Sequence, residues 1–235
     1  MTVNLWVSTA GTLVLWLVSG TLAIAVGLIL AAGSLNTNKA VHFLARSGVN
    51  GTRGVPTSVL VIVAGMGMMR TADAPQLPYI YPGTPPAFQH IAWGIALALA
   101  FGSAGHLAEI FCAAHSTLGK YRLEQMTVLG LSRWSRMSLQ VRECAAVALP
   151  PTGARMVHHL HNTAFAALFP VTDLFGFVQG QSSATFRVIE FIVLGCVIYV
   201  ALSGLIWLAT RALEAVYAPP AARRVRLRVF GWSRT

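Results

Sequence analysis

Five apolar stretches organise this chain, and polar segments of different character separate them. Leu5 to Ala32 carries no charged side chain and is long enough for one helix across a hydrocarbon core about 30 Å thick. His90 to Ala108 and Phe191 to Thr210 are two further charge-free runs of spanning length. Two weaker stretches need a second argument. Val55 to Met69 is short and lies between Arg53 and Arg70, whose side chains can reach the interfaces. His159 to Val178 has the length but contains Pro170 and Asp173. The pattern predicts an all-α integral membrane protein with five spans at about 5–32, 55–69, 90–111, 159–178 and 190–210.

Composition strengthens that reading. Hydrophobic residues make up 55% of the 235 and charged ones 10%, with a mean hydropathy of +0.65. A soluble domain carries about 25% charged residues. The 17 Lys and Arg outnumber the 7 Asp and Glu, which on a soluble chain would suggest nucleic acid. Here the cations are few and clustered, so no nucleic-acid partner is expected and their positions report orientation instead. With five spans and the N-terminus outside, 15 of the 17 fall on the cytoplasmic side and only Arg70 and Arg187 outside. Dropping both weak spans gives 10 against 7, a far poorer bias. The first stretch has no basic start, so it reads as an anchor rather than a leader. Cys112, Cys144 and Cys196 form no Cys-x-x-Cys pair and indicate neither a disulfide framework nor a zinc knuckle.

The spans divide the rest of the chain. Residues 1–218 read as one membrane domain and 219–235 as a basic cytoplasmic tail that contacts anionic membrane lipid. Thr71 to Gln89 outside is rich in Pro and Tyr and suits a stiff, extended connection. The inner loop, 113–158, has a helical pattern of its own. Leu123, Met126 and Leu129 recur every three residues, giving a short helix with one apolar side. Gly130 can close it in the left-handed conformation, having no Cβ to penalise positive φ. Ser132 can then cap a second helix, whose apolar stripe is Trp134, Met137, Val141 and Cys144. Such an elbow fits either a groove in another protein or the membrane surface.

Glu124, Gly130-Leu131-Ser132 and Trp134 resemble the EAA loop of permease subunits in ATP-binding-cassette (ABC) importers, in the branch that takes up polar amino acids. Other matches follow in order. Arg53-Gly-Val-Pro56 is similar to that branch's Arg-Gly-Thr-Pro, and Ala108-Glu109-Ile110 to its Ala-Glu-Ile before the loop. Leu149-Pro150-Pro151 with Asn162, and Thr185-Phe186-Arg187 with Glu190, match two later stretches. The resemblance covers roughly residues 50–217. It implies a type I ABC importer (MetI-like) permease fold with the C-terminus cytoplasmic, a second permease subunit forming a homo- or heterodimer, and an extracytoplasmic solute-binding protein. It implies also that the loop docks ABC ATPase subunits through Leu123, Glu124, Met126, Leu129, Gly130, Leu131, Ser132 and Trp134. ATP and Mg then belong to the partner ATPase, and no cofactor to this chain. Residues 114–121 lack the first Gly and the Ser or Thr of a phosphate loop, in keeping with a chain that is not itself an enzyme and has no catalytic residues. The implied activity is alternating-access import of a polar amino acid or related small solute, such as an opine, across the bacterial inner membrane.

The chain departs from the pattern at three places. Gln125 and Met126 replace two alanines, Glu143 falls where a proline usually closes the loop's second helix, and Phe169-Pro170 replaces Lys-Asp in the fourth span. The last change fits a non-conducting scaffold or the divergent half of a heterodimer. Asp173, with Thr172, Gln179 and Asn162, is a candidate for the solute path, because an ionisable group at membrane depth normally faces a protein interior or a wet cavity. His158, His159 and His161 invite an intramembrane metal enzyme, but no fourth ligand is apparent, so no metal is expected and an interfacial row capping the fourth span is preferred. His106 and Glu109 share a helix face and read as a local pair.

Overall fold

A computed structural model describes residues 4–70, 77–118, 124–126 and 128–217, and among these it is helical with no strand. The first helix, α1 (Leu5–Ser34), starts where the Asn4 side chain accepts a hydrogen bond from the Trp6 amide at 3.3 Å. Its buried residues form a stripe of mostly small side chains: Ser8, Gly11, Thr12, Ser19, Gly20, Ala23, Gly27 and Ala31. Small residues let helix backbones approach closely where lipid supplies no hydrophobic drive between helices. α4 (Gln89–Ser116) fills that stripe along most of its length and is the most buried helix of the bundle.

Between them lie two helices, α2 (Lys39–Gly54) and α3 (Thr57–Met69), set at 90° to each other. The expected spans leave α2 outside them, with Lys39, Arg46 and Arg53 counted as cytoplasmic charges. Its buried residues Ala45, Val49 and Thr52 nonetheless repeat at helical spacing, and Asn38 caps it by accepting from the Ala40 amide at 2.9 Å. Pro56 causes the bend: it forces Val55 into an extended conformation (φ −107°, ψ 128°) and supplies no N–H to continue the ladder. With 13 residues, α3 is about 20 Å long, short of a full crossing by itself.

The chain after α3 is not simply extended. Residues 77–88 fold back onto the bundle, where Tyr81 is buried against Trp93 in an edge-to-face contact with centroids 5.7 Å apart. Gln89, fully buried, holds that turn with both ends of its amide. It accepts from the amides of Ile80 and Tyr81, each at 3.2 Å, and donates to the carbonyls of Tyr81 and Thr84 at 3.1 and 2.9 Å. Burial raises the Tyr81 hydroxyl above the ordinary tyrosine range.

The elbow's second helix and the fourth apolar stretch are not separate. α5 (Arg133–Asn162) is one helix of 30 residues that passes through Pro150 and Pro151 and becomes buried from Ala148 onward. The helix expected over 159–178 is instead broken. A 3₁₀ segment, Thr163–Leu168, follows α5, and Phe169 to Asp173 is irregular before α6 (Leu174–Thr185) begins. Pro170, which cannot donate to a helical ladder, lies inside the break. Phe186 turns the chain in a left-handed conformation (φ 59°) into α7 (Val188–Tyr217).

The core forms three layers along the bundle. Leu15, Val61, Tyr81, Ile95 and Leu99 pack at the end remote from the elbow. Ala23, Leu107 and Met156 pack in the middle, and Ala31, Val49 and Ala108 toward the elbow. Among the described residues three helices are long and apolar enough to cross a membrane, with the bent α2–α3 pair a fourth if counted as one span. The chain is a multi-pass membrane protein.

Candidate functional site

The elbow has the expected backbone. Glu124 to Met126 and Val128 are helical, and the Leu129 amide closes the turn on the Gln125 carbonyl at 3.0 Å. Gly130 has φ +64°, and nothing lies within 4 Å of where its Cβ would be, so the backbone rather than crowding calls for glycine. Ser132 caps α5 through its Oγ, which accepts from the Ser135 amide at 3.2 Å. Met126 is turned inward and buried, whereas Val128, Leu129 and Trp134 are 87%, 73% and 78% exposed. Glu124 and Ser132 are exposed and Leu131 is half-buried; Leu123 lies outside the described residues. Trp134, Met137, Val141 and Arg142 form one wall of an open groove of about 490 Å³, and Val216 and Tyr217 of α7 form the other. Cys144, the last residue of the expected stripe, is half-buried and does not line it. The basic segment 219–235 lies outside the described residues.

The structure brings Asp173 and Thr172 together at the break before α6. Asp173 is 1% exposed, and its carboxylate accepts from the amides of Phe175 at 2.9 Å and Gly176 at 3.2 Å. It is the N-cap of α6, where a negative charge also meets the positive end of the helix dipole. Neighbouring backbone is pinned as well: Thr84 Oγ1 accepts from the Thr172 amide and Thr12 Oγ1 from the Leu174 amide, at 2.9 and 2.8 Å. Gly11 of α1 makes this fit possible, since a Cβ there would stand 2.2 Å from the Thr172 carbonyl oxygen. Thr172 and Asp173 line a cavity of about 640 Å³ with Phe169, Phe177 and Gln181. Asn162, buried at the end of α5, and Gln179, exposed on α6, are not part of that wall.

The histidines do not form an interfacial row. His159 is completely buried, with Nε2 2.8 Å from Ser19 Oγ and Nδ1 2.8 Å from Ser103 Oγ. Both serines stand about midway along their helices, so this ring ties α1, α4 and α5 together at the centre of the bundle. A neutral imidazole offers one donor and one acceptor, so one serine donates to the ring and the other accepts from it. His161 instead faces α7, 3.2 Å from Ser203 Oγ, and His158 is exposed. Among the described residues no three His, Cys, Asp or Glu side chains gather as a metal site.

Nor is Glu109 the partner of His106. Its Oε1 accepts from Arg46 Nη1 at 3.0 Å and Arg53 Nη1 at 3.2 Å, which joins α2 to α4. Arg155, which the sequence reading counts among the loop's charges, lies deeper than that. Its Nη2 donates to the Gly102 carbonyl at 3.0 Å and to Ser103 Oγ at 3.2 Å, about 20 Å along α4 from Gln89. The signal that could have found it is its spacing of four residues from His159, which puts both on one face of α5.

Comparison with known proteins agrees with this architecture. No protein-family model matches the chain. It is 29% identical over 169 residues to a probable amino-acid permease protein, YxeN, of Bacillus subtilis (strain 168), covering 69% of this chain and 67% of that protein. It is 24% identical over 209 residues to a probable amino-acid ABC transporter permease protein, YckA, of the same organism, covering 88% and 86%. Among solved structures, an amino acid ABC transporter with histidines superposes with a TM-score of 0.73 at 20% identity, over 90% of this chain and 92% of that one. The methionine ABC transporter MetNI in an inward-facing conformation gives 0.64 at 13% identity, over 92% and 94%. By sequence and by fold, the chain resembles the permease subunits of amino-acid ABC transporters, as its ordered motifs indicated.

Proposed function

We propose that this chain is the membrane-spanning subunit of an ATP-driven importer in a bacterial cytoplasmic membrane. It moves a polar amino acid or related small solute by alternating access, with the elbow on the cytoplasmic side. A separate ATPase grips the elbow, a second permease completes the pathway, and an extracytoplasmic binding protein delivers the solute. ATP on the partner favours one access state through contacts that differ between the two states.

The observation that carries this reading is the exposed apolar surface at the glycine turn. Val128, Leu129 and Trp134 stand out on either side of a left-handed Gly130, at the start of a helix that runs unbroken into the core. Apolar side chains so placed need a partner's groove, and a continuous α5 gives that partner a lever on the membrane region. Purification in mild detergent from native membranes tests it. The wild-type chain is expected to carry an ATPase subunit, and Gly130→Asp, which must adopt positive φ at a cost of about 1 kcal/mol and adds a charge, is expected to lose it. A wild-type chain recovered with no ATPase would overturn the assignment.

A further inference from the structure

Among the described residues, the fold uses only part of the Arg155 guanidinium. Arg155 is half-buried on α5 and anchored at one nitrogen only, Nη2, by the Gly102 carbonyl and Ser103 Oγ. A guanidinium has five N–H donors. Nε is buried without an acceptor, and Nη1 makes no hydrogen bond among the described residues. No carboxylate among the described residues lies within ion-pairing distance: Glu109 is taken by Arg46 and Arg53, and Asp173 caps α6.

Titratable side chains stand near Arg155 on both α4 and α5. His106 on α4 lies within electrostatic reach of Arg155, Arg53 and His158 together. Arg155 and His158 on α5 and Gly102, Ser103 and His106 on α4 mark the seam where the two helices meet, while Arg53 belongs to α2 and is paired with Glu109. An ionisable residue inside a membrane bundle pairs with an opposite charge or a backbone carbonyl, or serves a passing solute; Arg155 has the Gly102 carbonyl but no carboxylate among the described residues. Arginine's planar fork suits a carboxylate better than any other small anion-bearing group of an amino acid.

We propose that the seam between α4 and α5 is a solute station at which Arg155, held by Gly102 and Ser103, receives the carboxylate of the transported solute, with His106 and His158 beside it. This rests on the permease reading above and narrows the substrate class: solutes with a free carboxylate and no net positive charge pass, and cationic amino acids are disfavoured.

The test uses the complex of this permease with its ATPase subunit, reconstituted in nanodiscs without binding protein. Retention of tritiated L-glutamate, L-alanine and L-lysine is measured, each chased with the unlabelled amino acid and with its α-amide. Glutamate or alanine should be retained at least tenfold over lysine, and the parent acid but not the amide should displace it. Arg155→Gln should lower retention tenfold or more, with Arg155→Lys restoring part of it, while the complex still hydrolyses ATP and melts within a few degrees of wild type, the shift that the lost bonds to Gly102 and Ser103 allow. Equal retention of lysine, unchanged retention in Arg155→Gln, or no retention of any of the three by the wild type would overturn the station. So would an Arg155→Gln complex that loses hydrolysis and thermal stability together, since Arg155 would then be only a structural tie. Failure of the underlying reading looks different: the wild-type permease would bring down no ATPase at all.

Discussion

Asp173 shows how a single residue can satisfy a sequence argument for an unforeseen reason. A carboxylate in an apolar stretch signals a functional interior, and Asp173 does line a cavity. Its oxygens, however, are spent on the first amides of α6. Replacing an N-cap by alanine costs about 1 kcal/mol, which for a chain of this size is roughly 2–4 °C in the unfolding midpoint. Asp173→Ala should therefore melt earlier by that amount in detergent, and Asp173→Asn, an equally good cap, should melt near wild type. If Asn at 173 abolishes solute uptake without moving the midpoint, the charge and not the cap is what the protein needs. The same scale explains what was legible. Gly130 and Ser132 were readable because positive φ and helix capping are local properties. His159 and Arg155 were not, because their partners Ser19, Gly102 and Ser103 stand more than fifty residues away and have no motif of their own.

Elements were read well where one periodicity ruled and poorly where two overlapped. α1, α4 and α7 are continuous apolar runs, and the expected spans agree with them to within a turn or two. α2 lies outside the expected spans because it has no long apolar run, although its buried face repeats at helical spacing. α5 was divided because the expected span begins at His159, inside a helix whose first half is largely exposed and whose second half turns buried, while hydrogen bonding runs through both. α2 owes its place to packing and to the shared carboxylate of Glu109. That network is about one-third exposed, so its contribution is small, about 0.5–1 kcal/mol. Glu109→Gln should lower the unfolding midpoint by a few degrees at low ionic strength, as Arg46 and Arg53 lose their common partner. The gap between variant and wild type should shrink near 1 M salt, where the screening length is about 3 Å. A gap unchanged by salt would mean that shape rather than charge holds α2.

For the molecule as a whole, the proposed transport mechanism turns on orientation, which geometry and charge together predict. Tyr217 at the end of α7 shares a groove with Trp134, so the elbow and the C-terminal end of α7 lie at one pole. α7 is 30 residues, about 45 Å, which puts Phe186 and Arg187 at the other. Arg133, Arg136, Arg142 and Arg211 belong to the elbow pole, so the positive-inside bias predicts that this pole faces the cytoplasm. Phe186 and Val128 are both highly exposed, so cysteines placed there report the two poles with little disturbance to packing. With Cys112, Cys144 and Cys196 replaced by serine, Phe186→Cys should react with a membrane-impermeant maleimide on intact spheroplasts. Val128→Cys should react only after permeabilisation, and then less when the ATPase is bound than when it has been stripped away. Reaction at Val128 on intact spheroplasts would place the elbow where no cytoplasmic ATPase could grip it, whatever the resemblance of the fold.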